Sequence, residues 1–138
     1  MQPQRATVEE LNRLLSRCSF IEPYRFRALS CAPGECELEL PYRESLDRPG
    51  GVVNGPALMA TADVAMWLAI LTLRGVDEQW VTADMKSSFL SAARGENVVC
   101  RARVLKLGAR SAYAMADCTT KYVPLVAHHV GTYVVRGD

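Results

Sequence analysis

From Pro56 to Leu73 the chain is apolar at nearly every position, and Asp63 is the one charged side chain in that run. The stretch is rich in Ala and predicts a buried central helix over about 55–74. Asn54 stands where a side-chain oxygen can accept from the free amides of the first turn. Pro56 falls in that turn, where a missing N–H does no harm, and Gly75 stands ready as a C-terminal cap. Ahead of this helix, Leu11, Leu14, Leu15 and Cys18 recur at helical spacing within Val8–Cys18, and Thr7 with Glu10 three residues on forms a capping box. Pro23 closes the next segment, and Tyr24–Cys31 predicts a strand. After the turn signal Pro33-Gly34, Glu35–Leu40 alternates strictly, with Cys36, Leu38 and Leu40 on one side and three Glu on the other, which is a half-buried strand with a wet face. Arg43–Gly51 reads as a polar loop.

Four more strand-like stretches follow the central helix: Val81–Leu90, Val98–Lys106, Ser111–Lys121 and Leu125–Val135. Short turns separate them, so they form an antiparallel meander. The order of helix, two strands, long helix and four strands predicts one α+β domain over residues 1–138. In it a sheet of five or six antiparallel strands wraps the central helix and buries it nearly all round.

Composition narrows the class. The chain has 138 residues, 49% of them hydrophobic and 22% charged, the balance of a globular protein. A formal net charge of +1 without a basic stripe argues against a nucleic-acid partner. The apolar run is at the lower edge for a membrane span, carries Asp63 and lacks flanking Lys or Arg clusters, so no membrane role is expected. Five cysteines without CxxC spacing, and an N-terminus without an apolar signal core, predict reduced thiols in a cytoplasmic protein.

A lone carboxylate in an apolar helix is costly unless something pairs with it or uses it, which makes Asp63 the first candidate for chemistry. It lies about two and a half turns into the helix, and helical spacing groups it with Met59, Met66 and Ile70. Asn54 and Gly55 come next, because a helix N-terminus offers free N–H groups and partial positive charge to a developing anion. His128 and His129 are adjacent on a strand and point to opposite faces, so no metal is assigned to them.

These elements and spacings resemble the hotdog-fold acyl-CoA thioesterases of the phenylacetate-pathway type, within the 4-hydroxybenzoyl-CoA thioesterase superfamily. That family opens its central helix with His-Gly-Gly and carries an Asp eight residues after the first Gly. This chain has Asn54-Gly55-Pro56, with Asp63 eight residues after Gly55. A second matching block is Val81-Thr82-Ala83-Asp84-Met85, followed by Phe89-Leu90-Ser91-Ala92-Ala93-Arg94-Gly95-Glu96. Two positions depart from the pattern. Asn54 replaces His and keeps a side-chain donor, whereas Pro56 replaces the second Gly and removes an N–H.

The resemblance implies hydrolysis of an acyl-CoA, with a medium-chain or aromatic acyl group, to free acid and coenzyme A, with no cofactor. It assigns Gly55 and Asn54 to the oxyanion, and Asp63 to a role as general base or nucleophile. It implies that Thr82 reaches the active site of the neighbouring subunit, in a homodimer or homotetramer with active sites between subunits. Met59 and Trp67 would line the acyl pocket, and Arg48, Arg94, Lys106 and Arg110 are candidates for the phosphates of coenzyme A, with Arg43 a further option. Two alternatives stand beside hydrolysis. One is a non-catalytic acyl-CoA binding or sensing protein, and the other is a hydratase or dehydratase, whose proton transfer at carbon usually needs a His near the carboxylate.

Overall fold

A computed structural model describes residues 2–136. Helix α1 spans Val8–Ser16 and opens with the expected capping box: Thr7 Oγ1 accepts from the Glu10 amide, and Glu10 Oε1 accepts from the Thr7 amide. The predicted strand from Tyr24 begins later. Ser19–Tyr24 forms a 3-10 turn with Pro23 inside it, Arg25 takes a left-handed conformation (φ 57°), and strand β1 runs Arg27–Ala32. Pro33 and Gly34 (φ 76°) make the two-residue turn into β2, Glu35–Leu40. The Gly34 amide donates to Thr72 Oγ1 at 2.8 Å, which ties this hairpin to the central helix.

The loop before that helix is more ordered than its polarity suggested. It holds a 3-10 turn, Glu44–Leu46, and a small hairpin of β3 (Asp47–Arg48) and β4 (Val52–Val53). Helix α2 then spans Gly55–Arg74, about 30 Å of helix, and is followed by β5 (Trp80–Phe89), β6 (Val98–Leu107), β7 (Ser111–Thr119) and β8 (Ala127–Val135). Six strands form one antiparallel sheet in the order β1-β2-β6-β7-β8-β5. The sheet curves around α2, which is the hotdog arrangement.

Strand alternation decides what touches the helix. Leu38, Leu40, Cys100, Ala102, Ala114, Ala116, Cys118, Ala127 and Tyr133 point inward and are buried, while Glu37 and Arg101 pair on the outer face. Helix α2 is long and apolar enough to cross a membrane, yet here 13 of its residues are buried, most of them against the sheet. Burial is not complete all round. One stripe stays open, running through Pro56, Met59, Ala60, Asp63 and Trp67. Met66 and Ile70, grouped with Asp63 by the sequence reading, are instead fully buried on the sheet side.

Gly131 on β8 sets how closely α2 approaches. A Cβ there would lie 3.1 Å from Met66 Cε and 3.1 Å from Tyr133 Cε1. Gly131→Val is therefore expected to lower stability by about 1–3 kcal/mol through overpacking, read as a lower denaturant midpoint at unchanged slope.

Candidate active site

Asp63 sits near the middle of the open stripe of α2, half-buried, with its carboxylate fixed from the sheet. Thr82 Oγ1 on β5 donates to Asp63 Oδ1 at 2.7 Å. Tyr133 Oη on β8 lies 2.7 Å from the same Oδ1 and 2.7 Å from the Asp63 main-chain oxygen, so its one proton goes to either acceptor in turn. Oδ2 has no hydrogen-bond partner among the described residues and is the free lobe of the carboxylate. Burial, and then the neighbouring Asp63 charge, push the Tyr133 phenol far above its ordinary range, so it stays a proton donor. Thr82 thus meets the Asp63 of its own chain, not that of a neighbouring subunit. Register explains this: Thr82 faces Tyr133 across the β5–β8 ladder, and both point inward at α2.

Tyr133 was missed by the sequence reading. The available signal was its place in the inward alternation of β8, where a buried phenol needs an acceptor. Tyr133→Phe is expected to cost about 1–3 kcal/mol of stability, because it removes a hydrogen bond to a charged group, and to cut turnover by loosening Asp63. Thermal unfolding and steady-state rates check the two effects separately.

The free lobe of Asp63 borders a cleft of about 280 Å³ lined by Phe20, Val64, Trp67, Trp80, Val81, Thr82 and Tyr133. Both tryptophans of the chain are in this wall. Trp67 therefore falls where expected, next to the carboxylate. Met59 shares the open stripe one turn earlier, 38% exposed, but does not line this cleft. Phe20 arrives from the 3-10 turn after α1, a placement that no periodicity signals.

At the N-terminus of α2 the four amides have different fates. Asn54 Oδ1 accepts from the Ala57 amide at 2.8 Å, and Asn54 O accepts from the Leu58 amide at 3.4 Å. Pro56 has no N–H. The Gly55 amide has no acceptor among the described residues, so it is the open donor of the turn. Asn54 Nδ2 donates to Leu46 O at 2.7 Å, so the side chain is held at both ends as a cap and is not turned out as an oxyanion donor. The Phe89 ring covers Gly55: a Cβ at Gly55 would lie 3.4 Å from Phe89 Cζ. Gly also suits a helical position directly before a proline, where a Cβ is disfavoured.

Gly55 and Asp63 are eight residues apart on one helix, about 12 Å along its axis. Hydrogen bonds to one carbonyl, and a water at its carbon, demand groups within about 3 Å of the reacting atoms. The backbone positions of Gly55 and Asp63 are thus farther apart than the two ends of one attacked carbonyl.

The basic candidates separate in the same way. Arg94 donates to Gly50 O at 3.0 Å and, with Arg48 on β3, stands at the Gly55 end of α2. Lys106 and Arg110 stand at the other end, beside the turn to which Arg74 is hydrogen-bonded through Gly108 O and Ala109 O. Arg43 lies by the 3-10 turn ahead of β3. The histidines keep to opposite faces: His128 pairs with Asp117 on the outer face, while His129 is fully buried inside. Neither borders the Asp63 cleft.

Comparison with known proteins places the chain. The thioesterase superfamily model matches residues 50–121, just over half the chain, from the loop before α2 through β7. The chain belongs to this superfamily, and it is a thioester hydrolase. Acyl-coenzyme A thioesterase 13 of Homo sapiens is 33% identical over 95 residues, covering 67% of this chain and 66% of the relative. A conserved protein of Pseudomonas aeruginosa, PA5202, superposes with a TM-score of 0.81 at 34% identity, over 86% of this chain and 94% of that one. The PaaI protein of the E. coli phenylacetic acid degradation operon gives a TM-score of 0.84 over 96% and 98% of the chains, and at 14% identity that likeness shows the fold alone.

Proposed function

We propose that this thioester hydrolase acts on acyl-CoA substrates, at a site assembled from two copies of the chain. The Gly55 amide of one copy polarises the thioester carbonyl, and Asp63 of the other, held by its own Thr82 and Tyr133, activates the water. The observation that carries this reading is the spacing of Gly55 and Asp63 on one helix, about 12 Å of axial rise over eight residues, with the amide and one carboxylate oxygen both left open.

A second copy has a natural seat. Strand β5 is an edge strand of ten residues, and apolar side chains along it and just beyond are exposed: Val81 at 43%, Phe89 at 51% and Leu90 at 56%. An edge of this length offers unpaired backbone groups to another strand. Antiparallel pairing of two β5 edges would bring the Phe89–Gly55 end of one copy to the Thr82–Asp63 end of the other. A dimer is then the smallest active unit, and a tetramer of two such dimers is compatible with it.

In the reaction, water attacks the carbonyl carbon while Asp63 Oδ2 takes one of its protons. The new C–O bond leaves an oxyanion on the Gly55 N–H, a donor worth about 3 kcal/mol of barrier. Collapse breaks the C–S bond, and the proton on Asp63 passes to the departing thiolate, giving acid and coenzyme A. The chemistry consumes water and calls for no cofactor. The apolar, aromatic cleft suits a medium-chain or aromatic acyl group, and Arg48 and Arg94 stand at the Gly55 end for the phosphates. The absence of any histidine on the cleft wall speaks against the hydratase reading.

The test is release of free thiol from short, medium-chain and aromatic acyl-CoAs. The expected result is turnover of at least one class. Tight binding of several without turnover of any would favour a sensing protein instead. A single turnover in H₂¹⁸O separates the two roles of Asp63. A general base puts the label into the product acid at once, whereas a nucleophilic carboxylate leaves the first acid unlabelled.

A further inference from the structure

His129 lies on the inner face of β8 with no exposed surface, and it contacts polar side chains on two sides. Its Nδ1 is 2.6 Å from Ser87 Oγ on β5, and its Nε2 is 3.5 Å from Cys118 Sγ on β7. Beyond it, Cys118 Sγ lies 3.6 Å from Cys100 Sγ. In a neutral imidazole one nitrogen donates and the other accepts. The geometry selects which. A contact of 2.6 Å fits an O–H donor better than an N–H donor, and 3.5 Å is a normal length for N–H donating to sulfur. These lengths fit an imidazole protonated at Nε2, with the Ser87 hydroxyl donating to Nδ1.

Ser87 is half-buried on the inner side of edge strand β5, two residues from Phe89. The Phe89 ring covers Gly55 and packs edge-on against His129, with ring centroids 6.2 Å apart. Ser87, His129, Phe89 and Gly55 therefore form one contiguous group at the amide end of α2. With its proton on His129, Ser87 Oγ keeps its remaining lone pairs free on the inner side of β5.

We infer that Ser87 is a further residue of the thioesterase site, an acceptor that holds the second proton of the attacking water, and that His129 is its positioning residue. This rests on the two-copy site proposed above, in which the Gly55 end of one chain meets Asp63 of the other. A water that gives one proton to Asp63 Oδ2 needs a second acceptor to fix its lone pair toward the carbonyl. Within that assembly the protons of Thr82 and Tyr133 are directed at Asp63, and the Ser87 proton is directed at His129. Ser87 Oγ is then an acceptor on the amide side of the carbonyl, facing Asp63 across the interface.

Ser87→Ala, Ser87→Thr and His129→Gln are compared with the parent enzyme on whichever acyl-CoA it hydrolyses. The expected result is a fall in kcat of roughly tenfold to a hundredfold for Ser87→Ala, the penalty of a misplaced reactant, with KM and the assembly state unchanged. Ser87→Thr restores most of kcat because it keeps the hydroxyl. His129→Gln, whose amide oxygen can take the Ser87 proton, falls between them. Side-chain ¹⁵N shifts of His129 report a proton on Nε2 in the parent. Full kcat in Ser87→Ala, or a proton found on Nδ1, overturns the inference while leaving the thioesterase site intact. Undiminished turnover in Asp63→Asn would instead strike at the site on which the inference rests.

Discussion

Replacing Asp63 by Asn is expected to lower thioester turnover by roughly 10²–10⁴-fold, the range of a lost general base, while the protein stays folded and assembled. The reason lies in how the carboxylate is held. Asn keeps an oxygen at the Oδ1 position, so Thr82 and Tyr133 can still donate to it. What disappears is the free, anionic lobe. Affinity for the acyl-CoA should change little, because the cleft walls of Trp67, Trp80 and Phe20 are untouched. Thiol release under saturating substrate, beside a direct binding measurement, separates these quantities. Turnover equal to that of the parent would remove Asp63 from the chemistry.

The second large effect is expected at the edge strand. Ala83 sits at the irregularity of β5 between Thr82 and Asp84, with no partner in the β8 register. A proline there removes an edge-strand amide at a residue outside the β8 register, a place where sheets tolerate proline. Combined with Leu90→Glu, which puts charge on a side chain 56% exposed, Ala83→Pro should convert the proposed dimer to monomers. Turnover should fall by about 10²-fold or more, since each carboxylate loses the amide that its substrate needs. Sedimentation and activity at matched concentrations check this. A monomer that retains full activity would mean that one chain suffices.

Much of this architecture was legible in the sequence because local patterns and packing agreed. The Thr7–Glu10 box, the alternation from Glu35 to Leu40, Pro33-Gly34, and Gly75 at the end of α2 each fix a local geometry that the fold keeps. The orientation of α2 was harder to read. A helix that is apolar on every side has no polar stripe to mark its open face, so helical spacing groups Asp63 with Met66 and Ile70 as well as with Met59, whereas its open face holds Met59 and Trp67. Asn54 could be read as cap or donor because both roles use the same atoms; its contacts with Ala57 and Leu46 decide for the cap. Tyr133 and Phe20 reach the site through tertiary contacts across about 70 and 40 residues of chain, beyond any local pattern.

The proposed site draws its amide from one copy and its carboxylate from another. Gly55→Pro deletes the amide and fixes a φ suited to the first helical position, but its ring carbons meet Phe89 and stand before Pro56, so its fold is checked first by circular dichroism and thermal unfolding. Each of Gly55→Pro and Asp63→Asn alone should be nearly inactive. Mixed and allowed to exchange subunits, half the dimers become mixed at random, and each of those carries one site with both groups intact. Turnover should therefore recover to about a quarter of the parent value, by the symmetry of a two-fold dimer. No recovery from two folded, exchanging variants would contradict the account, because it would place both groups in a single chain's site.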